Sequence, residues 1–139
     1  MNITKNFTFE ELTRTNTGLD NEPNNESLVN LCSLTFNILQ PARELLAMVV
    51  KVNSAYRSRE VNKAVGGART SQHTKGQAAD LSCSDNIKLF EILRTLPFDQ
   101  LIIEKPVNGI PSWLHVSYNS ENNRGEILVY ENGEYTTYE

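Results

Sequence analysis

Two stretches hold both histidines of the chain: Ser71-Gln72-His73-Thr74-Lys75-Gly76-Gln77-Ala78-Ala79-Asp80 and Ser112-Trp113-Leu114-His115-Val116-Ser117. The second alternates. On a strand, Trp113, His115 and Ser117 share one face, and Leu114, Val116 and Tyr118 share the other. The aliphatic face belongs inward, which turns His115 toward a cleft. Ala79-Asp80-Leu81-Ser82-Cys83 reads as a second strand, with Leu81 toward the core and Asp80 on the opposite side. Histidine and aspartate thus come to one polar sheet face.

Working outward, Val50 to Tyr56 alternates as a strand, and Ser58 caps a short helix over 59–65 that Gly66-Gly67 ends. Ser84 or Asp85 caps a helix with Ile87, Phe90, Leu93 and Leu96 on one face, stopped by Pro97. Strands follow at 100–104, 113–118 and 126–130, the last turning at Glu131-Asn132-Gly133 into 134–138. Upstream, Thr8-Phe9-Glu10-Glu11 is a capping box, with Phe7 and Leu12 as its hydrophobic staple. Residues 16–26 are loop-like in composition. From Ser27 onward, Leu28, Leu31, Cys32, Ile38, Leu39, Ala42, Leu45, Leu46 and Val49 recur at helical spacing, and Pro41 should kink or break that helix. Helices first and strands later predict an α+β fold, with N-terminal helices packed on a mostly antiparallel sheet.

At 139 residues the chain is expected to form a single domain over 1–139, with 119–139 as an acidic, solvated C-terminal hairpin. The longest apolar run, Leu45 to Val50, falls far short of the roughly 20 residues of a membrane span. Met1 to Glu11 has no apolar signal region, so synthesis in the cytoplasm is expected. The net charge is −4, and residues 119–139 carry all of it: five glutamates against Arg124. The remainder is neutral and offers no basic face for nucleic acid. Cys32 and Cys83 are 51 residues apart and read as two buried free thiols.

Two imidazoles, a carboxylate and one position left for water make the ligand set of a catalytic zinc site. His73, Asp80 and His115 supply those groups, although on spacing alone they are equally compatible with ordinary polar residues at sheet edges. The pattern S-x-H-x-x-G-x-A-x-D followed by W-x-H-V-S resembles the zinc D-Ala-D-Ala carboxypeptidase family, peptidoglycan peptidases that share their metal-site fold with the hedgehog signalling domain. Ser54-Ala55-Tyr56-Arg57-Ser58, Val61 to Gly67, Phe98 to Glu104, Phe7 to Thr13 and Pro41-Ala42-Arg43 extend the resemblance, the last two toward a small phage and bacterial branch. It spans residues 7 to about 119, in order.

The resemblance implies that His73, Asp80 and His115 bind Zn2+, which polarises the scissile carbonyl and activates water. Many relatives have an acidic residue three positions before the last histidine, where this chain has Ser112. Glu104, at the end of the preceding strand, reaches the same place if the two strands pair antiparallel, and is the expected general base. Arg57 is expected to bind the developing oxyanion or a terminal carboxylate, as the family arginine does. Ser71 and Gln72 are candidate substrate contacts or supports of the histidine loop. Trp113 is either a cleft wall or a packed sheet residue.

The expected function is therefore zinc-dependent hydrolysis of peptidoglycan peptides by a monomer. It trims a terminal D-Ala as a carboxypeptidase, or cuts stems or cross-bridges as an endolysin-type endopeptidase. The missing signal region suits an enzyme that meets the wall after phage lysis or as part of a phage. The alternative is a zinc-binding module without hydrolysis that binds wall peptide or a protein partner; Ser112 keeps it open.

Overall fold

Thr8 starts the first helix as its neighbours require, in a computed structural model that describes residues 1–139. Its hydroxyl accepts from the Glu11 amide, and the Glu11 carboxylate accepts from the Thr8 amide. The helix α1 covers Phe9–Leu12, and both staple residues, Phe7 and Leu12, are buried. Ahead of it, β1 (Asn2–Thr4) and β2 (Phe7–Thr8) form a small antiparallel ribbon that the sequence pattern did not reveal.

The long helix is continuous but changes pitch. Helix α2 (Asn25–Leu34) is capped by Asn24, and α3 (Gln40–Leu46) follows through a π turn over Thr35–Leu39. At the junction the Gln40 amide bonds to the Thr35 carbonyl, five residues back. Pro41 has no N–H to continue the ordinary ladder and its ring crowds the preceding turn; a widened turn relieves both. The extra residue also shifts the helix phase. Leu45, expected on the apolar face, is exposed; Val49, also expected on that face, is exposed beyond the helix, which ends at Leu46 with Ala47 in the left-handed region. Thr35 and Gln40 are buried beside Ile38 and Leu39. Their polar groups are satisfied: Thr35 donates to the Leu31 carbonyl, and Gln40 bonds Thr4 and Asn6. Cys32 and Cys83 are free thiols but only partly buried.

Six strands make one sheet: β3 (Lys51–Ser54), β4 (Ala78–Ser82), β5 (Gln100–Glu104), β6 (Trp113–Ser117), β7 (Glu126–Glu131) and β8 (Glu134–Thr137). Their order is β3-β4-β6-β5-β7-β8, and every pairing is antiparallel except β5 with β7. Helix α4 (Arg59–Ala64) is capped by Ser58 and α5 (Asn86–Leu93) by Asp85. In α5 the inward stripe is Leu89, Phe90 and Leu93, whereas Ile87, in its first turn, is exposed. Leu81, Leu101, Leu114 and Val116 on one sheet face join α2, α3 and α5 in a single core, while Asp80, Ile102 and His115 lie on the other face. No helix is long and apolar enough to cross a membrane.

The C-terminal segment is more than a solvated hairpin. Asn132 and Gly133 turn it with positive φ at both positions, but Ile127 and Val129 of β7 pack against the core. Asp99, at the head of β5, ties this strand in. Its Oδ1 accepts from the Arg124 amide and Nε, and its Oδ2 from Arg124 Nη2, each at 2.9 Å. Gln72 donates to the same Oδ2 at 3.0 Å. The backbone of Asp99 bridges Ser117 of β6 and Glu126 of β7. The Arg124 hydrogen bonds hold the Asp99 pKa down to about 2 against an ordinary 3.8.

Arg124→Ala should lower the unfolding free energy by about 2 kcal/mol, the scale of hydrogen bonds to a charged partner. A carboxyl held low in the fold stabilises fully above its unfolded value and loses that contribution as pH falls through its folded one. Urea unfolding should therefore show the gap between wild type and variant closing from about pH 4 to about pH 2. A gap that stays constant over that window would show that the arginine acts by packing alone.

Candidate metal centre

Strand register brings the polar groups together. Asp80 of β4 lies opposite His115 of β6, on the face away from the core. Asp80 Oδ1 is 3.0 Å from His115 Nδ1 and 3.4 Å from His73 Nε2. The two imidazole rings meet edge to face with centroids 5.1 Å apart.

His73 reaches the cluster from a 3₁₀ turn, Gln72–Lys75, that leads into β4. Ser71 starts the turn by accepting from the His73 amide, and Gly76 ends it with φ at +74°. A Cβ on Gly76 would stand 2.2 Å from the Ser27 carbonyl oxygen at the start of α2, so only glycine allows this approach. The ring is held too: His73 Nδ1 lies 2.6 Å from the Ala55 carbonyl, which can only accept. Nδ1 therefore carries the proton, and Nε2 presents its lone pair toward Asp80. Burial pushes the His73 pKa down, against the pull of Asp80, which keeps the ring in this neutral form. The backbone adds a further tie, with the Arg57 amide donating to the His73 carbonyl at 3.0 Å.

Burial works to raise the Asp80 pKa, but the hydrogen bond from His115 and the polar groups gathered round it outweigh that and hold the carboxyl well below its usual range. Its second oxygen, Oδ2, is 3.3 Å from Arg57 Nη2. Arg57 is itself steered, donating from Nε to Ser54 Oγ and from Nη1 to Asn62 Oδ1. Asn62 is buried and lies so close to Gly67 that a Cβ there would meet its Oδ1 at 2.0 Å.

One ligand atom from each of His73, Asp80 and His115 lies within 4.8 Å of the others. Tetrahedral zinc with bonds of about 2.0–2.1 Å separates its ligands by about 3.3 Å, close to the spacings around Asp80 Oδ1. Two nitrogens and one carboxylate, with His73 hydrogen-bonded on its far side, fit that ion in chemistry as well as distance.

Glu104 and Trp113 lie opposite each other on β5 and β6, on the His115 face and two residues along the strand. The β5–β6 pairing is antiparallel, as the base assignment requires. Burial pushes the Glu104 pKa up, with Asp80 adding to the rise and His115 opposing it. Ser112 donates its hydroxyl to the Lys105 carbonyl and shapes the loop between the two strands. Trp113 is half-buried and lies under the Lys105 ammonium, 5.7 Å from the ring centre.

The family model described as Peptidase M15 matches residues 5–117. The chain belongs to the peptidase M15 family. M15 members are zinc peptidases, and the matched segment contains His73, Asp80, His115, Arg57 and Glu104. It ends with β6, so β7 and β8 lie beyond it. Among curated proteins, none matches the chain.

Sequence reasoning missed the Ala55 carbonyl, Ser54 and Asn62 as supports of this M15 cluster. Asn62 lies in the Val61 to Gly67 motif, but its role depends on a contact with Arg57 that spacing does not disclose. Gln72 is engaged with Asp99 and Gln77, and Ser71 with the His73 amide. Both hold the turn.

Wild-type protein should bind one zinc ion, and Asp80→Ala should weaken that binding by more than about 100-fold, beyond the loss typical of an outer-sphere partner. Competition against a chelating dye reads this directly. A wild-type affinity retained in Asp80→Ala would remove the aspartate from the ligand set.

Proposed function

We propose that the chain is a zinc peptidase of peptidoglycan, hydrolysing peptide bonds in stems or cross-bridges, with His73, Asp80 and His115 as ligands and Glu104 as general base. The observation that carries this reading is the face shared by Glu104 and the His–Asp–His cluster, at adjacent positions of paired strands. Zinc, when bound, supplies Lewis acidity to the scissile carbonyl and the attacking water. Glu104 takes the water proton and passes it to the leaving amine; partial burial makes its carboxylate the more basic for that task. Arg57 offsets the charge of Asp80 and offers its guanidinium to an oxyanion or terminal carboxylate. A reader of free carboxylates suits removal of a terminal D-Ala; cleavage inside a stem or bridge uses the same cluster with Arg57 on the oxyanion. Trp113 lines the cleft, and Ser71 and Gln72 act through the position of His73. Every group comes from one chain, so a monomer suffices.

The test is mass spectrometry of muropeptides incubated with zinc-loaded protein, a chelated control and Glu104→Gln. Wild type should remove D-Ala or cut a stem or bridge, and the chelated sample should not. Glu104→Gln should keep its zinc and lose at least about 100-fold in rate, the usual scale of a general base. Unaltered cleavage by that variant overturns the base assignment. Intact muropeptides from several wall types, with zinc bound, would instead favour a non-hydrolytic wall-binding module.

A further inference from the structure

The last two strands lie beyond the matched family segment, yet they extend the face that carries the cluster. Opposed residues form two rows across the sheet. One runs Asp80, His115, Ile102, Leu128 and Thr137; the other runs Trp113, Glu104, Tyr130 and Tyr135. Glu104 therefore has an aromatic neighbour on each side, on strands about 4.7–4.9 Å away. The Tyr130 and Tyr135 rings are in contact, with centroids 4.6 Å apart. The core does not need them: β7 serves it with Ile127 and Val129, while Tyr135 remains 60% exposed. Burial raises the Tyr135 pKa, and the charges of Glu104 and Asp80 add to the rise, so the phenol shares their field as a neutral hydrogen-bond donor.

We propose that Trp113, Tyr130 and Tyr135 form a shelf for the part of an extended peptide substrate that runs from the scissile bond away from Arg57. This rests on the peptidase reading. Arg57 lies at the β3–β4 side of the cluster, where Ser54 of β3 and Asp80 of β4 hold it, so the tyrosines bound the opposite side. From β6, which carries Trp113, to β8 is three strand spacings, about 14 Å. An extended peptide advances about 3.3–3.6 Å per residue, so the shelf takes about four residues. Flat rings bordered by hydroxyls accept aliphatic side chains and peptide groups together. The shelf thus selects for substrate length on one side of the cut, through residues that the C-terminal hairpin adds to the M15 segment.

The experiment compares a synthetic stem pentapeptide ending in D-Ala-D-Ala with its N-acetylated C-terminal tripeptide, using wild type, Tyr135→Ala and Tyr135→Phe. Wild type should favour the pentapeptide, and Tyr135→Ala should raise its KM about tenfold and abolish the preference, whereas Tyr135→Phe keeps the ring and most of the affinity. Trp113 is the single tryptophan, so its fluorescence reads binding without turnover when zinc-loaded Glu104→Gln is titrated with the pentapeptide. Adding Tyr135→Ala should weaken that titration by the same factor. Equal KM values for wild type and Tyr135→Ala, or equal losses on both peptides, overturn the shelf and leave the peptidase standing. If zinc-loaded wild type neither cleaves nor binds either peptide while wall muropeptides are cut, the shelf falls alone; if muropeptides also survive, both fall.

Discussion

Everything at the candidate centre depends on the register between β4 and β6. Asp80 lies opposite His115 because Leu81 lies opposite Leu114 and Ala79 opposite Val116, and all four apolar residues are fully buried. A slip of one residue would turn Asp80 into the core and Leu81 into the site. The hydrophobic effect thus positions the polar groups indirectly: burying one face of two short strands determines what the other face presents. Glu104 follows by the same rule, since Leu101 and Ile103 commit β5 to the core and leave Glu104 beside the histidine strand.

Asp80 then acts as the electrostatic hub. One oxygen faces two imidazoles and the other faces Arg57, and a largely buried carboxylate stays ionised because these partners outweigh its desolvation. The supports reach outward in layers. The Ala55 carbonyl sets the His73 tautomer, Asn62 and Ser54 aim Arg57, and Gln72 links the histidine turn to Asp99 and, through it, to Arg124. That last chain connects the C-terminal strands to the turn that carries His73.

Much of this was legible in the sequence because it is local or periodic. The caps at Thr8, Ser58 and Asp85 act within three residues, and the alternation in β4 and β6 shows which side chains share a face. The family motif supplied the roles, and the match over 5–117 supports the family itself. What escaped the sequence reading depends on distant or main-chain groups. Pro41 announces a disturbance but not a π turn, which puts Leu45 on the outer face, and Val49 lies beyond the end of the helix at Leu46. The parallel β5–β7 pairing depends on Asp99 meeting Arg124 across 25 residues, and the His73 tautomer depends on a backbone carbonyl that no side-chain pattern encodes. Tyr130 and Tyr135 read in sequence as parts of a solvated hairpin, because the pairing that sets β7 beside Glu104 leaves no local signal.

X-ray absorption at the zinc edge of the zinc-loaded protein tests the His–Asp–His assignment most directly. That assignment predicts two imidazole nitrogens and a carboxylate oxygen at about 2.0–2.2 Å, with a fourth position open to an exchangeable light atom. A sulfur shell near about 2.3 Å, which would draw in Cys32 or Cys83, or a site closed by four protein ligands, would contradict it.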